Sequence, residues 1–169
     1  DNLFPKVKMV TNLGELIIEL DRIKAPITVD NFLSYVDAKR YDNTLFHRLE
    51  HDFVLQGGGF AEDMTSVEEF DEIVNESGNG VKNDFGTIAM ARQNDPHTAT
   101  SQFFFNLGEN KSLNPGRTWG YTVFGHIIEG DSLFEKLQDI QTDYSPETGW
   151  RSFPTQKIVI ISVEILAES

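Results

Sequence analysis

Leu45-Phe46-His47-Arg48-Leu49-Glu50-His51-Asp52-Phe53-Val54-Leu55-Gln56-Gly57-Gly58-Gly59-Phe60 is the stretch on which the reading of the fold turns. Within it, His47-Arg48-Leu49-Glu50-His51 has the H-x-x-E-H spacing of inverted zinc metallopeptidases. That pattern works only on a helix, where residues i and i+4 lie one above the other and present both imidazoles to one metal. Here Asp52 and the run Gly57-Gly58-Gly59 follow closely, and glycine is a poor helix interior. The apolar pattern nearby is strand-like, with Leu45–Glu50 and Phe53–Gly57 as two short strands. Only His97 and His126 remain as other histidines, so a third ligand would have to be one of them or a carboxylate. The strand reading wins, and no metal is expected.

Outward from this pair the same texture continues. Lys6–Thr11 and Glu15–Asp21 flank the turn signal Asn12-Leu13-Gly14, with Leu16, Ile18 and Leu20 in alternation. Downstream, Thr87–Ala91, Gln102–Asn106 and Val123–Ile128 read as strands. The last strand alternates Val159, Ile161, Val163 and Ile165 with Ile158, Ile160, Ser162 and Glu164. Two helices interrupt the series. Pro26 marks the entry to the first, Thr28 is its expected N-cap, and Val29, Phe32, Leu33 and Val36 recur at helical spacing, with Lys39 and Arg40 expected at its C-terminal end. The second opens at Asp131, with Leu133, Leu137 and Ile140 on one face. About eight strands and two helices, with strands at both ends, predict a mainly β fold: a closed antiparallel eight-stranded barrel with two capping helices. No repeat, linker or low-complexity tract divides residues 1–169, so one domain is expected.

The totals narrow the function. With 27 acidic and 14 basic residues the net charge is −13. A nucleic-acid binder needs a basic footprint, and an anionic membrane surface attracts the same sign; neither partner is expected. The 169 residues contain no cysteine, which excludes disulfides, thiol nucleophiles and thiolate metal sites. The longest apolar stretches fall well short of the roughly 18 residues of a membrane span. The chain begins at Asp1 rather than Met, which a cleaved export signal would explain and so would any other trimming of the N-terminus. Seven acids (Glu62, Asp63, Glu68, Glu69, Asp71, Glu72 and Glu76) crowd residues 61–76 and read as a solvated face. Asn75-Glu76-Ser77 and Asn110-Lys111-Ser112 carry the N-x-S pattern of a glycosylation acceptor.

Four segments carry the chemistry: Phe46-His47-Arg48 running into Phe53–Phe60; Gly86-Thr87-Ile88-Ala89-Met90-Ala91-Arg92; Thr100-Ser101-Gln102-Phe103-Phe104-Phe105-Asn106; and Tyr121-Thr122-Val123-Phe124-Gly125. In that order and spacing they resemble the signature of the cyclophilin-type peptidyl-prolyl cis–trans isomerases, and the resemblance runs over essentially the whole chain. It implies rotation about X-Pro bonds with no cofactor, no metal and no covalent intermediate. It also implies site roles. Arg48 would donate to the prolyl nitrogen or the adjacent carbonyl, Gln56 would hold its guanidinium, and Gln102 would hydrogen-bond the substrate backbone. Phe53, Val54, Phe104, Leu113 and Tyr121 occupy the family's pocket positions, Ser112 its rim, and Ala91 and Arg92 its wall, Arg92 through the main chain. Strand alternation adds that Gln102, Phe104 and Asn106 face substrate while Phe103 and Phe105 fill the barrel. Phe53 and Gln56 differ in parity, so a bend is needed between them. His47 is expected on the face opposite Arg48, as a hydrogen-bonding structural residue beside the site.

The chain departs from many eukaryotic members in having Ser112 in place of Trp and Tyr121 in place of His, and Val54 replaces the family's more usual Met. The Tyr121–Gly125 form resembles exported bacterial members, which implies a periplasmic location. Loss of the Trp implies weak cyclosporin binding. X-Pro peptides and unfolded proteins are the implied partners, and a monomer the implied state. The alternative within the same fold is a module that grips proline-containing segments without turning them.

Overall fold

The computed structural model describes residues 2–168; Asp1, on which the processing expectation rests, lies outside them. The strands are β1 (Lys6–Thr11), β2 (Gly14–Leu20), β3 (Thr44–Glu50), β4 (Val54–Ala61), β5 (Thr87–Met90), β6 (Phe103–Asn106), β7 (Val123–Glu129), β8 (Thr142–Asp143), β9 (Phe153–Pro154) and β10 (Val159–Ile165). Eight close into an antiparallel barrel in the order β1-β10-β3-β4-β6-β5-β7-β2, while β8 and β9 pair apart. Helix α1 spans Pro26–Asp37 and α2 Leu133–Lys136. No helix among the described residues is long and apolar enough to cross a membrane.

The barrel interior takes most of the residues that alternation assigns to it; at β10 a register shift against Val10 and Thr11 puts Ile158, Ile160 and Val163 inside and leaves Ile161 and Ile165 exposed. Val7, Met9, Leu16, Ile18, Leu55, Ile88, Phe103, Phe105 and Phe124 are buried there together with Val29, Phe32, Tyr35 and Val36 of α1 and Leu133 and Phe134 of α2. The helices reach this interior at two levels of one strand. Phe32 packs on Phe103 with ring centroids 5.6 Å apart, and Phe134 on Phe105 at 5.8 Å. Edge-to-face and tilted contacts of this kind add to the burial of the rings.

Three local expectations are corrected. Helix α1 starts one turn early: Pro26 occupies its first turn, where its fixed φ is preorganised, so Ala25 and not Thr28 is the N-cap, and Ala25 offers no side-chain acceptor. The acceptor comes instead from Glu76. Its Oε1 takes Thr28 N–H and Thr28 Oγ1–H, each at 2.7 Å, and its Oε2 takes Ile27 N–H at 3.4 Å. The helix also ends at Asp37 with no basic residue in its last turn; Lys39 adopts φ 58° beyond it. The second helix is one turn of α followed by 3-10 over Leu137–Asp139, although Leu137 and Ile140 are buried as expected.

Candidate active site

The site lies on the outside of the barrel, where β3, β4, β6, β5 and β7 present one row of partners. Arg48 pairs with Gln56, Gln56 with Phe104, Phe104 with Ala89, and Ala89 with Val123. Side chains opposite one another in antiparallel strands share a face, so residues far apart in sequence stand in line. Val54, Ala89, Phe104 and Val123 are buried there as a second, smaller apolar cluster, with Phe53, Ala91, Leu113 and Tyr121 against it.

A bulge aims the arginine. Phe46 pairs with Gly57 and Arg48 with Gln56, so β3 carries one more residue than β4 at this point. The extra residue lets Phe46 and Leu49, three apart, both enter the interior cluster, which plain alternation forbids. His47 and Arg48 therefore both turn outward, and the expectation of opposite faces is corrected. Gly57 is required opposite: a Cβ there would meet the Leu45 carbonyl oxygen and the Phe46 ring at 2.8 Å. Phe53 needs no bend inside a strand, because it sits in the turn that precedes β4.

Around a cavity of about 250 Å³ stand Arg48, Phe53, Val54 and Gln56 on one side and Ala91, Arg92, Phe104, Leu113 and Tyr121 on the other. Phe104 and Tyr121 meet edge to face at 5.7 Å. Arg48 Nη1 donates to Gln56 Oε1 at 3.4 Å, and Gln56 Nε2 donates to Gln102 Oε1 at 2.8 Å. The Arg48 guanidinium lies 5.9 Å from the Phe53 ring centre. One polar chain, Arg48–Gln56–Gln102, thus edges an apolar socket.

Arg92 contributes more than its main chain. Its guanidinium lies 4.4 Å over the Tyr121 ring and donates to the carbonyl oxygens of Gly120 at 3.2 Å and Trp119 at 2.9 Å. That cation–π stack holds Tyr121 against the socket. Ser112 is exposed in the 3-10 turn Lys111–Leu113 and stands outside the cavity, one residue from Leu113, which lines it. Asn106 shares the outer face with Phe104 but does not meet the socket. It is fully buried, donates to Asn83 Oδ1 and Thr87 Oγ1, and accepts from Asn110 Nδ2. Asn110 Nδ2 also donates to the carbonyl of Phe53 at 2.8 Å, which fixes the backbone under that ring.

His47 is buried between Phe60 and Trp150, with ring centroids at 4.9 and 5.1 Å. Its Nδ1 has no hydrogen-bond partner, so the expected hydrogen bond is replaced by packing. Burial, and then the neighbouring Arg48 charge, lower its pKa from 6.5 to about 4. His51 points elsewhere and donates to the Ile140 carbonyl at 2.9 Å. The H-x-x-E-H residues lie on a strand and a turn, and among the described residues no cluster of three His, Cys, Asp or Glu could hold a metal.

Two features were not read from the sequence. Glu50 stands 3.7 Å from Arg48 Nη2, one alternation step along β3, which was a legible signal. Glu69 and Glu72 of the acidic segment line an adjoining cavity of about 240 Å³ that shares Gln56, Ala91 and Arg92 with the socket. The same segment supplies the Glu76 cap and the ion pair of Glu68 with Arg40 at 2.6 Å. It is in part a structural element, then, and not only a solvated face.

Comparison with known proteins places these features. A family model described as cyclophilin type peptidyl-prolyl cis-trans isomerase/CLD matches residues 6–165. The peptidyl-prolyl cis-trans isomerase cyp18 of Streptomyces antibioticus is 44% identical over 164 residues, covering 95% of this chain and 98% of that protein. Peptidyl-prolyl cis-trans isomerase B of Escherichia coli (strain K12) is 40% identical over 159 residues, covering 92% and 96%. The crystal structure of a cyclophilin type peptidyl-prolyl cis-trans isomerase from Cryptosporidium parvum superposes with a TM-score of 0.76 at 28% identity, over 98% of this chain and 99% of that one. That protein has also been solved in the presence of the dipeptide Ala-Pro.

Proposed function

Because the chain belongs to the cyclophilin-type peptidyl-prolyl cis–trans isomerase family, we propose that Arg48 is the group that lowers the rotation barrier of an X-Pro bond held in the Phe53–Phe104–Tyr121 socket. The enzyme's reaction is rotation about that bond, and nothing is broken or transferred. The barrier of about 18–20 kcal/mol comes from the double-bond character of the C–N link. In the twisted amide that character is lost, and the nitrogen regains a lone pair. A site that binds the twisted form better than either planar form accelerates the exchange in both directions.

The observation that carries this assignment is the position of Arg48. Its guanidinium edges the apolar cavity while Gln56 holds one of its branches. A pyrrolidine ring seated against Phe53, Phe104, Leu113 and Tyr121 brings its amide to that edge. A preorganised N–H donor there meets the lone pair as it forms, and the apolar walls strengthen the interaction. Gln102, fixed by Gln56, is placed to hold the substrate backbone so that one side of the bond turns against the other. The complete set Arg48–Gln56–Gln102 beside the socket favours catalysis over a module that only grips proline.

The test is Arg48→Ala on a short X-Pro peptide. Loss of one positioned donor of this kind costs about 2–4 kcal/mol, so kcat/KM is expected to fall roughly 30- to 1,000-fold with the fold intact. A variant within a factor of about three of the parent would remove Arg48 from the role.

The wider reading follows the resemblance. The natural substrates are X-Pro bonds in extended or unfolded segments, so the enzyme assists folding as a monomer. The Tyr121–Gly125 form supports an exported, periplasmic location. Weak cyclosporin binding is supported by Ser112, whose small exposed side chain offers no wall beside Leu113.

A further inference from the structure

The guanidinium at the socket has a second anchor. In the β3–β4 pair, Glu50 faces Val54 as Arg48 faces Gln56, so Arg48 and Glu50 share one outer face. Glu50 Oε2 lies 3.7 Å from Arg48 Nη2, while Nη1 donates to Gln56 Oε1 at 3.4 Å. The two branches of the guanidinium are thus engaged from opposite sides. The other carboxylate oxygen, Oε1, accepts from Ser152 Oγ. Ser152 is itself tied to β3, because its carbonyl accepts Leu49 N–H at 3.0 Å. Nearby, Trp150 of the same loop packs on His47 and Phe60.

We propose that Glu50, braced by Ser152, is a positioning residue that holds the Arg48 guanidinium in the plane that faces the X-Pro amide; the proposal rests on the assignment of Arg48 above. Arginine has many rotamers, and the Arg48 side chain is 42% exposed. A single bond of 3.4 Å to Gln56 leaves the head free to swing about that contact. A second contact on the other branch removes that freedom before substrate arrives. At 42% and 37% exposure an ion pair adds little to stability, because water screens it. The same screening limits how far the carboxylate weakens the guanidinium as a donor, so orientation is the larger of the two effects. The Glu50 side chain does not line the apolar socket. The effect of losing it therefore falls on kcat rather than KM.

The experiment measures isomerisation of a short X-Pro peptide by the full chain, with Glu50→Gln, Ser152→Ala, Arg48→Ala and the double variant Arg48→Ala/Glu50→Gln compared. Thermal unfolding of each variant controls for folding. Glu50→Gln is expected to lower kcat about two- to fivefold, the range set by a half-exposed pair, with KM nearly unchanged. Ser152→Ala shifts kcat the same way by less, and Glu50→Gln has no further effect once Arg48 is gone. A kcat in Glu50→Gln equal to or above the parent's overturns the proposal, as does a loss that persists in full in the Arg48→Ala background. An Arg48→Ala variant with parental activity overturns the assignment of Arg48 itself, and the brace with it.

Discussion

Replacing Glu76 with alanine tests whether a residue of the acidic segment holds the first helix. Glu76 is separated from Thr28 by 48 positions, yet its carboxylate is the side-chain acceptor for the N-terminus of α1. Three costs follow from its removal. An N-cap acceptor is worth about 1 kcal/mol. A carboxylate at the positive end of a helix adds roughly 0.3–1 kcal/mol. Thr28 is 0% exposed, so its hydroxyl is left buried without a partner, at about 1–3 kcal/mol. Together these give a destabilisation of about 2–5 kcal/mol, and a fall in Tm of roughly 5–20 °C at this chain length. Glu76→Gln retains one acceptor oxygen for Thr28 and loses the charge and the long 3.4 Å contact with Ile27 N–H, so it is expected to cost less than half as much. The assay is urea and thermal unfolding of both variants at neutral pH. If Glu76→Ala costs less than about 0.5 kcal/mol, α1 does not depend on this contact and the reasoning fails.

Two further outcomes are expected. The folded-state pKa of His47, about 4 against 6.5, means the unfolded chain takes up a proton first as pH falls. The folded form then loses stability between pH 6.5 and 4, by about 3 kcal/mol in full; urea midpoints of the parent should fall across that window more steeply than those of His47→Leu, and parallel profiles would contradict the assignment. At Gly59 an added Cβ would meet Nε2, Cδ and Cγ of Gln102 at 2.5–2.6 Å, so that side chain must move from its base outward and Gly59→Ala should cost about 1–3 kcal/mol in stability. Activity should drop about three- to tenfold as the Gln56–Gln102 bond breaks; parental turnover would show that the place of Gln102 does not matter.

The strands were legible because alternation is a local property. Leu16, Ile18 and Leu20 face inward for the same reason that Phe103 and Phe105 do, and the barrel follows from enough such strands. The face carrying Gln102 and Phe104 was legible on the same ground. Alternation misled where the backbone breaks its own period. The bulge at His47 leaves one trace, the three-residue spacing of the buried Phe46 and Leu49, and that trace was available. Asn106 sits on the outer face as expected, but Asn83 arrives over it from a loop 23 residues back, and Asn110 folds over it from the turn just beyond β6; strand alternation records neither arrival. Glu76 is hidden in the same way. Among seven acids, nothing in the neighbouring sequence distinguishes the one that reaches back to α1.

The two N-x-S asparagines bear on where such a chain can be made. Asn110 spends both amide hydrogens on Phe53 and Asn106, and Asn75 Nδ2 donates to the Gly120 carbonyl at 2.9 Å. An oligosaccharide joined to Asn110 would take a hydrogen those bonds need, and at either asparagine it would bring a bulky solvated group to an inward-turned position. In a host that glycosylates chains as they are threaded into a secretory compartment, sugar transfer and folding would compete for the same two nitrogens. Molecules modified at Asn110 would carry the damage straight to the backbone beneath Phe53. A bacterial host has no such competition, and Asn110→Asp is no remedy elsewhere, because a carboxylate cannot donate.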